Sequence, residues 1–189
     1  WSMLGMNVDP IFGIKGRADG RLMFEQGYVN IDYQTSSSFL AKVTPLVENG
    51  DAVPIMTWGI LDDNGYIIRD PNFPEIPTFR EVYVKVHNEE PSGSAWDAWK
   101  AFFIAGFSAQ KMVVINKNTD DEIIDLFSQA FEDIINQKNF SQISKNSLGI
   151  YPQSTGLKAI KFKERATQID PDAISWVKNW LNDSYNLNL

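Results

Sequence analysis

Cysteine is missing altogether, and histidine occurs once in 189 residues. The first absence excludes disulfides, thiolate catalysis and cysteine-based zinc or iron–sulfur centres, and it fits an exported protein and a cytoplasmic one equally well. The second leaves His87 as the sole imidazole. It stands in an expected helix with no Asp or Ser partner at a telling spacing, so His87 reads as a surface residue and a serine triad has nothing to build on. Basic charge is scarce too: 17 Lys and Arg against 24 Asp and Glu give a net charge of −7. A nucleic-acid binder needs a clustered basic surface to release counterions, and with no Lys/Arg stripe in the chain nucleic acid is not an expected partner. No apolar run approaches the roughly 20 residues of a membrane span, and the first residues carry neither the basic nor the apolar region of a signal peptide. Internal repeats and low-complexity tracts are also missing.

What is present is an ordinary globular composition, 43% hydrophobic, enough for one substantial core or two small lobes. The chain is organised around residues 8–38. Val8 to Phe12 reads as a short strand ending at the turn Gly13, Ile14, Lys15, Gly16, Arg17. A helix follows with Leu22, Met23 and Gln26, and Gly27 closes it. Tyr28 to Tyr33 alternates Val29 and Ile31 with Asn30 and Asp32, as a strand does. It ends at Thr35, Ser36, Ser37 and Ser38, hydroxyls suited to cap a helix carrying Phe39, Leu40, Val43 and Val47. In a parallel sheet both turns and both helix starts would face one crevice, and their N–H groups and dipoles would favour an anion. The local charge agrees, because Lys15, Arg17 and Arg21 stand against the single Asp19.

Further on, Asn49 and Gly50 make a turn and Ala52 to Trp58 reads as a third strand, with Pro54 placing it at an edge. Residues 59–77, with Asp62, Asp63, Asn64, Gly65 and three prolines, form an irregular excursion. Its resemblance to a calcium loop fails for want of the closing acidic ligand, leaving a hairpin turn. Thr78 with Glu81 is a capping box for a helix with Phe79, Val82, Tyr83 and Val86 on one face. Trp96, Trp99, Phe102 and Phe103 make an aromatic stripe that reads as core. Met112 to Ile115 is a fourth strand. Thr119 and Glu122 form a second box ahead of an amphipathic helix with Ile123, Ile124, Phe127, Phe131, Ile134 and Ile135. Residues 136–156 are polar and turn-rich, 157–168 are helical, and Asp170 before Pro171 caps a last helix with Ile174, Val177, Trp180 and Leu181 inward. Strands alternating with helices imply an α/β fold with a mostly parallel sheet and C-terminal helices.

Known catalytic motifs are not matched. The first turn lacks the glycine spacing of a P-loop or a dinucleotide fingerprint, and no nucleophile elbow occurs. The pairs Glu89–Glu90 and Asp120–Asp121 sit at turns or helix starts, where dipole complementarity accounts for them. Neither a catalytic residue, a metal site nor a cofactor is expected.

Asp9 to Gly16, then Gly27, Val29, Asn30 and Ile31, then Pro74, Ile76, Pro77, Thr78 and Glu81, then Thr119, Glu122 and Ile123 together resemble the extracytoplasmic solute receptors of the tripartite tricarboxylate transporter family. The resemblance spans about residues 4–140 by order and spacing. Gly13 and Ile14 stand where the family has Pro and Tyr, Asn30 where it has Asp, and Asp120 where it has Pro. It implies a βαβα lobe of a venus-flytrap fold that captures a small di- or tricarboxylate outside the cytoplasm and delivers it to membrane permease subunits. Residues 1–77 would be the second-lobe segment with its excursion and 78–189 the helix-rich return, with the N-terminal lobe absent. On matched positions the ligand residues would be Lys15, Gly16 and Arg17 in the first turn and Tyr33, Gln34, Thr35 and Ser36 in the second. A chain without its first lobe would self-associate through the stripe at 96–107 or the helix at 171–181. Two other classes remain open: an effector-binding domain of a transcription regulator, and a small α/β enzyme using Asp32 or Tyr33 at a strand end.

Overall fold

The computed structural model describes residues 1–62, 64–107 and 111–187, except for the side chains of 146 and 147. Asp63, part of the expected excursion, lies outside the described residues. The core forms where aromatic residues recur on a helix face. Thr78 caps α4 (Phe79–His87) and Gly93 opens α5 (Gly93–Phe107). On α5 the positions 96, 99, 103 and 107 fall on one face, and their rings stack in sequence: Trp96 on Trp99 at 4.8 Å, Trp99 on Phe103 at 5.1 Å, Phe103 on Phe107 at 5.7 Å. Phe79, 1% exposed, lies 4.7 Å from Trp99 and within ring contact of Trp58, Tyr83 and Trp96. Leu4, on a short 3-10 turn Ser2–Leu4, closes this cluster from below. Burying one such side chain contributes roughly 1.5–3 kcal/mol, so the ladder is the main stabilising feature. The aromatic stripe is therefore core, as its spacing indicates, except that Phe102 turns outward.

The helices follow their local signals. The first is α1 (Arg17–Glu25), closed by Gly27 at φ 75°. A helical rod then runs through α2 (Ser36–Ser38), a π-turn (Phe39–Val43) and α3 (Thr44–Glu48). Pro45 gives the rod its π-turn a physical cause: it offers no N–H to the carbonyl four residues back and its ring crowds that carbonyl, so the helix widens ahead of it. Later come α6 (Asp121–Ile135), α7 (Phe140–Leu148), α8 (Gly156–Thr167) and α9 (Pro171–Tyr185). The helix α7 falls within 136–156, which the sequence reading left as turns. Asp170 caps α9 by accepting from the Asp172 N–H at 2.8 Å. The Thr119–Glu122 box does not form: α6 starts one residue later with Asp120 as its N-cap, and no side chain caps it.

The expected mostly parallel sheet is not what the chain builds. Among the described residues the only sheet is an antiparallel pair, β1 (Ile60–Leu61) with β2 (Ile67–Ile68), closed by the Asp62–Gly65 turn. One isolated parallel bridge joins Thr57 to Thr78. The segments 28–33, 52–58 and 112–115, expected as strands, form no ladder with one another, and 8–12 contains Pro10, which has no N–H to give. Alternation of side chains makes a segment extended, whereas a sheet also needs a neighbour at about 4.8 Å to take its N–H and C=O groups. The α/β venus-flytrap lobe is thereby corrected to a helix-dominated fold with one small hairpin. The stripe and terminal helix, expected to be bare, pack on each other: α5 lies against α8 and α9. The most exposed apolar side chains include Val53, Val113, Val114 and Leu157 instead.

Candidate functional site

A cavity of about 1570 Å³ opens beside the aromatic core. Its wall is built from 30–37, 52–62, 111–115 and 151–160, with α6 presenting Ile124, Phe127, Phe131 and Ile135 along one side. The amphipathic face of α6 thus borders this space rather than a packed core. At the floor, Tyr33 lies 5.9 Å from Trp58 and 5.7 Å from Phe107, so the aromatic ladder ends in the cavity wall.

Of the seven residues expected to hold a ligand, Tyr33, Gln34, Thr35 and Ser36 line the cavity and are half-buried. Lys15, Gly16 and Arg17 are exposed and lie outside its wall. The two turns do meet. The Gln34 Nε2 donates to the Arg17 carbonyl at 2.8 Å, and the Arg17 guanidinium sits 5.1 Å over the Tyr33 ring. Burial pushes the Tyr33 phenol up and the Arg17 charge pulls it back, with burial winning. Arg17 thus holds the back of Tyr33 while Tyr33 faces the cavity. Among the described residues four cationic side chains, Arg21, Lys111, Lys158 and Lys163, stand in the wall with three carboxylates, Asp32, Asp62 and Asp70, against the chain's overall negative sign. Arg21 is braced by Glu25 at 2.9 Å.

The tightest polar cluster of the wall joins three distant segments. Asp70 is 4% exposed. Its Oδ2 accepts from the Ser36 hydroxyl at 3.0 Å and from the Tyr151 hydroxyl, while the Tyr151 and Ser36 oxygens stand 2.7 Å apart. Its Oδ1 accepts from the Asn72 N–H at 2.8 Å and from the Asn72 side chain at 2.9 Å. Burial and the hydrogen bond to Asp70 push the Tyr151 phenol well above its ordinary range, so it keeps its proton. Among the described residues no cation pairs with Asp70. Sequence reasoning missed both Asp70 and Tyr151. The Asp-Pro-Asn step at 70–72 signals a turn and nothing more, and no local pattern tells that the turn is buried against residues 36 and 151. One expectation changes as a result: the start of the rod at Ser36, read as a place for a ligand anion, already has a carboxylate of the protein beside its side chain.

Protein-family models, curated proteins and solved structures were each compared with this chain, and none matches. The functional reading therefore rests on the cavity and its wall.

Thr35 and Ser37 flank Ser36 and face the same space. The N–H groups at the start of a helical rod have no partner within it, so hydroxyl and amide donors are concentrated beside the Asp70 cluster. Thr57 adds an orphan: its Oγ1 is buried in the wall with no hydrogen-bond partner among the described residues. The chemistry on offer is capture, with donors for a carboxylate and a large apolar surface for the rest of a small organic molecule.

Proposed function

We propose that this protein is a solute-binding receptor that holds a small organic carboxylate in the cavity and passes it on to membrane permease subunits outside the cytoplasm. The observation that carries the reading is the edge Thr35–Ser37, whose hydroxyls and helix-start amides open into a cavity with more cations than carboxylates among the described residues of its wall, in a chain of net charge −7. Donors aimed at one place and a positive local balance favour an anion. The cavity exceeds the roughly 300–1,000 Å³ of common small-ligand sites, so a di- or tricarboxylate would fill only the part next to residues 33–37. Arg17 belongs to this reading as a brace for Tyr33, while Lys15 and Gly16 shape the first turn.

Calorimetry with a panel of di- and tricarboxylates tests it. Binding is expected, and Thr35→Ala is expected to weaken it by about 0.5–1.5 kcal/mol, the worth of one hydrogen bond to the ligand. Tight binding of a neutral sugar with no carboxylate bound would overturn the reading.

A further inference from the structure

Asp70, Ser36 and Tyr151 form a triangle of oxygens that is one proton short. Three short contacts join the Asp70 Oδ2, the Ser36 Oγ and the Tyr151 Oη. The two hydroxyls bring two protons between them, and the carboxylate, the stronger acceptor, draws both. The three contacts thus share two protons: the Tyr151 hydroxyl can donate to Ser36 at 2.7 Å only by leaving Asp70 with one hydroxyl donor, and with both protons on Asp70 the Ser36 and Tyr151 oxygens meet through their lone pairs. Both hydroxyls line the cavity, and so does Asp70. A buried carboxylate without a counter-charge is costly, even with neutral hydrogen bonds, because those bonds do not return the solvation of a full charge. The cluster therefore lacks two things at once, a donor for the Ser36–Tyr151 gap and a positive charge for Asp70. An ammonium group supplies both.

The geometry points to an ammonium subsite at Ser36, Asp70 and Tyr151, and hence to an amino acid as the class of ligand, a proposal that rests on the carboxylate reading above for the other end of the molecule. Ser36 is flanked by Thr35 and Ser37, and consecutive Cα atoms are about 3.8 Å apart, so the ammonium and the carboxylate must be neighbours on the ligand. An α-amino acid has them on one carbon. Its side chain would extend toward the apolar part of the wall, where Tyr33, Trp58 and Phe127 stand. A plain dicarboxylate fits less well, since its second carboxylate would face Asp70.

The test is calorimetry on the full chain with the twenty protein amino acids, each set against its des-amino acid, which keeps the carboxylate, and its decarboxylated amine, which keeps the ammonium. At least one amino acid is expected to bind about 10-fold or more tightly than its des-amino acid, with that ratio falling to near one in Asp70→Asn. Tyr151→Phe, which keeps the carboxylate and removes one acceptor for the ammonium together with one donor to Asp70, is expected to reduce the ratio about 3- to 10-fold. It serves as the decisive variant if Asp70→Asn melts early by circular dichroism. Des-amino acids that bind as tightly as the amino acids would overturn the ammonium subsite and leave the carboxylate reading standing. Amines that bind as tightly as the amino acids would do the reverse. If none of the three sets binds, the ammonium subsite falls and the di- and tricarboxylate panel alone decides the carboxylate reading.

Discussion

Thr78 is 2% exposed, its hydroxyl accepts from the Glu81 N–H at 3.2 Å, and the Glu81 carboxylate accepts from the Thr78 N–H at 2.7 Å. Two donors at the start of α4 are satisfied reciprocally, so Thr78→Ala is expected to cost about 0.5–2 kcal/mol in urea unfolding. Burial works to raise the Glu81 pKa, but the Thr78 N–H and Arg69, 3.0 Å away, outweigh it and hold the group below its ordinary value. A carboxyl depressed in the folded state contributes stability that is present above its unfolded value of about 4.3 and is lost as pH falls through the lower folded value. The mid-point of unfolding should therefore drop as pH falls below about 4.3, and Glu81→Gln should flatten that part of the profile. This box was legible because it spans three residues and needs only its own letters. Thr119 and Glu122 present the same letters, yet α6 starts one residue too late for Thr119 to cap it. Asp70 was illegible for the opposite reason, since its partners lie 34 and 81 residues away.

At the scale of elements, helices were readable because periodicity, caps and closing glycines are all local, and α1, α4, α5, α8 and α9 lie where the pattern put them. Strands were not readable: none of the four expected segments became a strand, because pairing is a long-range choice, and among the described residues only β1 and β2 found partners, across the turn that the sequence did show. That hairpin depends on Gly59. Its φ is +81°, and a Cβ added there would stand 2.6 Å from the Ile68 carbonyl oxygen and 2.9 Å from the Ile67 side chain. A carbonyl in a paired strand cannot retreat as a flexible side chain can. Gly59→Ala is expected to cost more than about 2 kcal/mol, from the left-handed backbone and the clash together, and to free the β1–β2 hairpin to hydrogen exchange ahead of α4. Unchanged stability would mean that the Thr57–Thr78 bridge does not depend on the hairpin beside it.

For the whole molecule, the aromatic ladder and the cavity divide the apolar residues into two populations that composition cannot tell apart. Phe79, Trp96 and Phe103 are buried in the ladder, whereas Val113 and Val114, in an equally apolar run from Met112 to Ile115, are 78% and 79% exposed. Both stretches look like core when read as letters, and only the tertiary arrangement separates them. The division makes a prediction about where stability resides. Phe79 has ring contacts on several sides and no water, so Phe79→Ala removes its transfer energy and leaves a void, at an expected cost of about 3–5 kcal/mol. Val114→Ala removes methyl groups that already face solvent and is expected to change stability by less than about 0.5 kcal/mol. Urea unfolding of the two variants at micromolar concentration, repeated at tens of micromolar with sedimentation alongside, reads both numbers. A cost near 2 kcal/mol at Val114 that grows with protein concentration would show the segment covered by a second copy, moving the self-association expected of α5 and α9 onto the exposed residues at 112–115. A small and concentration-independent cost, with a monomer in sedimentation, would leave the ladder as the source of stability and the edge open to solvent beside the cavity.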